Sequence, residues 1–181
     1  MQERSMDNIA LIDGTQRYFS DNVPDALGLA LYQASTQTDP ALKERLLLDA
    51  LARWPHALDT HIALYKLYFR TARYAAAERQ VWRTLTEAAR QGGFTRNYRR
   101  LRIDSAPWLE DQSVARLYLF SLKALGVIRL RRGRVMAAHR VLSKLLELDP
   151  TDEIGGSNFL GIARRFLIEE GGDPLPKGEN L

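Results

Sequence analysis

The chain contains no cysteine. Disulfides, thiolate-bound zinc, iron–sulfur clusters held by Cys and thiol nucleophiles are therefore excluded together. A reducing compartment fits that composition. Histidine is scarce, with only His56, His61 and His139. They show no HExxH or other metal-ligand spacing, and no serine stands in a GxSxG elbow. A GxxxxGK[ST] phosphate loop is missing too. Long apolar runs are also missing. The most apolar stretch, 117–130, is interrupted by Lys123 and Arg129 and is too short to span a bilayer. The opening MQERSMDNIALIDG has no basic region followed by an apolar core, which predicts no secretory leader. These absences predict a cytoplasmic, soluble protein without membrane association, catalytic residues, metal or cofactor.

What is present fits one globular domain. The 181 residues are 45 % hydrophobic and 27 % charged, enough to build a sizeable core. The net charge of +4 is modest but unevenly spread. Nine arginines lie between Arg70 and Arg102, opposed only by Glu78 and Glu87. The ends are acidic, with Asp7, Asp13, Asp21 and Asp25 at one and Asp152, Glu153, Glu169, Glu170 and Asp173 at the other. A positive middle favours an acidic partner surface.

Apolar spacing predicts about seven helices and no strand, an all-α fold. Pro24-Asp25 opens the first helix, with Leu27, Leu31 and Ala34 on one face. A second carries Leu42, Leu46, Leu47, Ala50 and Leu51 and closes at Trp54-Pro55. Residues 58–72 and 74–90 form the next pair, stopped by Gly92-Gly93. Residues 94–108 hold dense Arg without a period and are expected to be a loop. Residues 110–132 and 134–148 make a third pair. A last helix is expected over about 154–169, capped by Thr151 or Asp152. The arm 1–23 is weakly patterned, with Ile9, Leu11 and Ile12 to pin it down, and 171–181 reads as a mobile tail.

Within 113–150, a Leu125-Gly126 pair, a break at Arg132-Gly133, a small Ala138 and a closing Leu148-Asp149-Pro150 follow one another. This resembles one tetratricopeptide repeat, a helix–turn–helix unit of about 34 residues. Leu64, Tyr68, Tyr74 and Ala77 fit the same pattern in the middle pair, and Leu47, Ala50 and Pro55 in the first. Ala89 lies 34 residues after Pro55, but Pro150 lies 61 after Ala89, leaving 27 more than one repeat uses. The expected organisation is a solenoid of antiparallel helix pairs over 24–170, with a basic insertion at 91–112 between the second and third pairs. An insertion of that size is expected on the surface. Stretches such as TLTEAARQGGF and LELDPTDEIGGS are similar to those of small repeat proteins encoded beside bacterial nitrogenase genes.

The resemblance implies a concave groove lined by the first helix of each pair. Mapped onto this chain, the groove takes in Tyr32, Lys66, Phe69, Arg70, Lys123, Val127 and Arg131. Aromatic rings and cations there suit an acidic, partly apolar peptide. One subset of the family grips a C-terminal carboxylate with Lys and Asn; here Lys66 and Tyr32 stand in such places and the Asn residues are missing.

Outside the groove, Arg96, Tyr98, Arg99 and Arg100 form the densest basic patch. Arg interleaved with Phe94, Tyr98 and Trp108 could meet an acidic protein surface, or stack on nucleic acid. Arg129, Arg131, Arg132 and Arg134 gather at a helix turn, where a helix C-terminus favours positive charge; Arg129 is expected in solvent and Arg131 in the groove. His61 is expected to fill a gap between helices and His139 to face solvent. Gly155-Gly156-Ser157 could bind an anion at a helix start or serve as a flexible entry. The reading that follows is a non-enzymatic adaptor holding an acidic partner. A nitrogenase component or maturation protein is the narrower alternative, a basic nucleic-acid-associated protein a further one, and self-association through uncapped ends is open.

Overall fold

The computed structural model of the chain describes residues 23–111 and 113–170. The expected anchors Ile9, Leu11 and Ile12, the acidic residues before position 22 and the tail 171–181 lie outside the described residues. Seven α-helices and no strand are found among those described: α1 (Asp25–Ser35), α2 (Pro40–Arg53), α3 (Leu58–Arg70), α4 (Tyr74–Gly92), α5 (Val114–Arg131), α6 (Val135–Leu148) and α7 (Ser157–Glu170). The closest packing runs between neighbours in the chain, and α5 also meets α7. The most extensive contact joins α4 to α5, the two helices that the insertion connects. The extra residues therefore do not split the array.

Local chemistry sets the boundaries. Pro24 precedes α1, and the Asp39 side chain accepts a hydrogen bond from Ala41 N–H at the start of α2. Gly93 adopts φ +70° and caps α4 in the left-handed conformation. Helix α5 begins at Val114, later than its apolar pattern, because the Ser113 hydroxyl accepts the Arg116 N–H and fixes the cap there. Helix α7 begins at Ser157 rather than near 154. Asp152 sits at φ +55°, and its carboxylate accepts the Gly156 and Ser157 N–H groups at 2.6 and 3.1 Å.

Two turns 61 residues apart share one geometry. In the α3–α4 turn, Arg73 N–H donates to the Tyr68 carbonyl and Ala72 N–H to the Phe69 carbonyl. In the α5–α6 turn, Arg134 N–H donates to Arg129 and Gly133 N–H to Leu130. The left-handed residue is Ala72 at φ +56° in the first and Gly133 at φ +68° in the second. The ends of α2 and α6 also match: Trp54 has φ −127° and ψ 71°, Asp149 φ −130° and ψ 72°, and each precedes a proline.

The core runs the length of the array, through Leu27, Leu47, Leu58, Ile62 and Leu64 to Leu85, Leu119, Leu122, Leu125 and Leu142. Burial of each such side chain contributes roughly 1.5–3 kcal/mol before entropy is charged against it. At Gly126 a β-carbon would stand 2.6 Å from Leu142 Cδ2, so α5 and α6 touch where glycine removes a side chain. Ala138, fully buried, is the small residue on the facing helix. His61 does fill a gap: its Nε2–H donates to the Pro55 carbonyl at 2.9 Å, and its Nδ1 accepts from Gln80 at 2.8 Å. Burial pushes the imidazole pKa down, consistent with that neutral, one-proton arrangement.

Most of the insertion lies on the surface, as expected, but it is not an irregular loop. Two short 3₁₀ turns, Tyr98–Arg100 and Ile103–Ser105, lie within it. Tyr98, Leu101 and Trp108 are buried. Phe94, Trp108 and Tyr118 form an aromatic cluster with ring centroids 5.1–5.9 Å apart. The Trp108 indole N–H donates to the Arg102 carbonyl at 2.9 Å. Lys144 of α6 donates to the Leu101 carbonyl at 3.1 Å, and Arg116 of α5 to the Leu109 carbonyl at 2.9 Å. The segment is a wedge tied to α5 and α6.

Candidate functional site

Between α4 and α6 the wedge roofs a cleft of about 610 Å³. Helix α4 supplies Trp82 and Thr86, and the wedge supplies Arg96, Asn97, Tyr98 and Arg99. The α5–α6 hairpin closes it with Arg129, Arg134, Ala137 and Arg140. Five arginines thus line one hollow.

Glu78 is the internal counter-charge. Its buried carboxylate takes Arg129 Nε at 3.0 Å, Arg134 Nη1 at 3.1 Å, and Arg132 as a third partner. Burial alone would raise this carboxyl; hydrogen bonds and charge from Arg129 and Arg132 outweigh it and hold the pKa below the ordinary value. Arg129 also lies over the Trp82 ring, 5.6 Å from its centroid, and donates to the Ala137 carbonyl. This corrects the expectation that Arg129 is solvated. No local sequence signal announces a partner 51 residues away.

Arg96, Arg99 and Arg140 are exposed, and no carboxylate pairs with them among the described residues. Arg99 lies 5.9 Å from the Tyr98 ring centroid. These three are the cations still available to an incoming anion.

A second hollow of about 360 Å³ adjoins the first and shares Tyr98, Arg99 and Arg140 with it. It continues along α6 past His139, Ser143, Lys144 and Glu147. His139, expected in solvent, is half-buried here. Lys144 and Glu147 pair at 2.7 Å and neutralise that end.

Of the basic-patch residues expected from sequence, Arg96, Tyr98 and Arg99 line the cleft and Arg100 does not. Trp82, Thr86, Arg129, Arg134 and Arg140 were not foreseen as lining residues. One signal pointed toward them: Glu78 is one of two carboxylates in an arginine-rich stretch, and four arginines crowd the α5–α6 turn.

The residues placed in a concave groove contribute no side chain to this cleft. Tyr32 and Arg70 are exposed. Phe69 is half-buried, edge-on to Tyr74 at 5.5 Å. Lys66 is half-buried and has an interaction of its own. Arg131 is exposed at the end of α5. Two groove assignments are corrected. Val127 is buried and offers no surface. Lys123 turns inward, donating to the Ile154 carbonyl at 2.5 Å near Asp149 and Asp152, and burial lowers its pKa. Lysine there fastens the α6–α7 connection instead of awaiting a ligand.

The start of α7 is likewise filled by the chain itself, since the Asp152 carboxylate already occupies the anion position of Gly156 and Ser157. Tyr98 and Trp108 are buried and Phe94 is half-buried in ring contacts, which leaves little open ring face there for a base to stack on. Among the described residues, no group of three His, Asp or Glu is placed to hold a metal ion, and no helix is long and apolar enough to cross a membrane.

No protein-family model matches the chain, and no solved structure does. A protein of Azotobacter chroococcum mcd 1, described as an uncharacterized 19.8 kDa protein in the nifW 5′ region, is 25 % identical over 159 residues. That match covers 87 % of this chain and 89 % of the relative.

Proposed function

We propose that this protein is a non-catalytic adaptor, a helical solenoid of the tetratricopeptide kind, that grips an acidic partner protein through the arginine cleft. The observation that carries the reading is the set of three exposed guanidiniums around one hollow, Arg96, Arg99 and Arg140, with no carboxylate partner among the described residues. Arg129 and Arg134, tethered to Glu78, add positive charge to the same lining. Such a field speeds encounter with an acidic surface, and bidentate guanidinium–carboxylate pairs give it orientation. The solenoid reading rests on the matched turns at Ala72 and Gly133 and on the matched exits at Trp54 and Asp149. The setting proposed is the cytoplasm.

The test compares two surfaces. Arg96→Glu with Arg140→Glu reverses the cleft; Arg70→Glu reverses an exposed cation of the α3 groove. Partners captured from cells of the source organism are identified by mass spectrometry with each variant. The proposal expects capture to fall with the cleft pair and to persist with Arg70→Glu. The opposite pattern moves the contact to the groove and refutes the cleft.

A second, narrower reading names the partner as nitrogenase or one of its maturation proteins. The relative encoded in a nifW 5′ region supports it, together with the stretches TLTEAARQGGF and LELDPTDEIGGS. Purification from nitrogen-fixing cells decides this reading, and it fails if no nitrogenase component is retained.

A further inference from the structure

The two hollows adjoin along α6, and that adjacency constrains the occupant beyond charge. They share Tyr98, Arg99 and Arg140 and follow α6 from Arg134 to Glu147. Thirteen residues of helix rise roughly 20 Å. An extended chain advances about 3.3 Å per residue, so roughly six residues fill that length. The trough is also polarised. Arg96 and Arg134 stand at the α6 N-terminal end, where the helix dipole adds positive potential, and Arg99 and Arg140 sit where the two hollows join. The other end holds Ser143 and the self-neutralised Lys144–Glu147 pair.

From this we infer that the trough takes an extended polypeptide segment of about six residues, acidic at one end and uncharged at the other. The inference rests on the cleft being the partner-binding surface and adds the form of what is bound. A compact phosphate compound would use convergent donors. Here two of the five cleft arginines are already committed to Glu78, and two of the other three, Arg99 and Arg140, border both hollows. That layout suits carboxylates spaced along a strand.

The missing cysteines make a clean experiment possible. Ser143→Cys introduces a single thiol into the far hollow, and Glu147→Cys, one turn on, is the alternative where the first labels poorly. A bulky maleimide attached after folding obstructs that hollow without asking the chain to fold around it. Fluorescence anisotropy then reports binding of two labelled probes: three glutamates followed by three neutral residues, and triglutamate alone. Pyrophosphate and a six-nucleotide single strand serve as competitors.

The expected result is hexapeptide binding at least tenfold tighter than triglutamate. The maleimide should abolish that advantage and leave triglutamate unchanged, and neither competitor should displace the hexapeptide at equal concentration. If blocking the far hollow leaves the hexapeptide unaffected while Arg140→Glu weakens both probes, the cleft stands and the extended occupant is wrong. If Arg140→Glu weakens neither probe, or the unmodified protein binds neither, both readings fall. Displacement by pyrophosphate or by the oligonucleotide also overturns the polypeptide.

Discussion

The Glu78 carboxylate and the Arg129 guanidinium meet at 3.0 Å with side chains only 6 % and 11 % exposed. One residue comes from α4 and the other from α5, 51 positions later. The pair joins the two halves of the array and, through Arg132 and Arg134, fixes the α5–α6 turn.

Removing the acid takes the charge partner from the buried Arg129 guanidinium, which keeps only its bond to the Ala137 carbonyl and the Trp82 ring. Glu78→Ala is expected to cost about 3 kcal/mol, in the range for breaking a buried pair. Urea unfolding followed by far-ultraviolet circular dichroism measures it. A loss under 1 kcal/mol would mean that water, not Glu78, satisfies these arginines.

Gly126 predicts a steric penalty. Its added β-carbon would meet Leu142 at 2.6 Å in a fully buried contact. Gly126→Ala is expected to destabilise by roughly 1–3 kcal/mol, despite alanine's better helix propensity. In a Leu142→Ala background the same change should cost less, because the obstructing carbons are gone. Additive losses in that double-mutant cycle would contradict the close approach.

The matched turns predict opposite outcomes for opposite exchanges. Ala72 bears a β-carbon at φ +56°, where Gly133 bears none at φ +68°. Ala72→Gly is expected to stabilise or be neutral, by at most about 1 kcal/mol, as relief of left-handed strain offsets the added chain entropy. Gly133→Ala should destabilise by about 1 kcal/mol. Melting curves of the two variants give both signs directly.

Acid should weaken the α4 C-terminal region through Glu87. Burial alone would raise its carboxyl, but hydrogen bonds from Arg90, Gln91 and His56 bring its pKa to about 2, against an ordinary 4.5. A depressed acid contributes stability that is present above its unfolded pKa and disappears as pH falls from about 4.5 toward 2. Glu87→Gln should flatten the stability profile in that window.

Much of the helical order was legible because it is written locally. Prolines 24, 40 and 55, the Gly92-Gly93 stop and the Arg132-Gly133 turn mark ends by backbone chemistry alone. The Leu125-Gly126 and Ala138 pairing was also readable, since small residues permit helices to approach. The insertion was not. Tyr98 and Trp108 have no periodic partners, and their burial follows from contacts with α4 and α5 that only the folded chain supplies. Lys123 was misplaced for a related reason: its spacing is that of a groove residue, but the Ile154 carbonyl lies 31 positions away. Arg129 was misplaced for the same reason, its partner being more remote still. The cleft escaped notice because its walls come from three separate stretches whose charges look unrelated in linear order.

That three-part construction also governs when the cleft can exist. Trp82, the 96–99 turn and the Arg134–Arg140 stretch must all be docked at once. The α1–α2 hairpin contributes nothing to it and could unzip from the end of the array without emptying it. A bound ligand would therefore brace the central helices selectively. Amide exchange should slow from α4 through α6, while the outer hairpin keeps its own independent rhythm of opening.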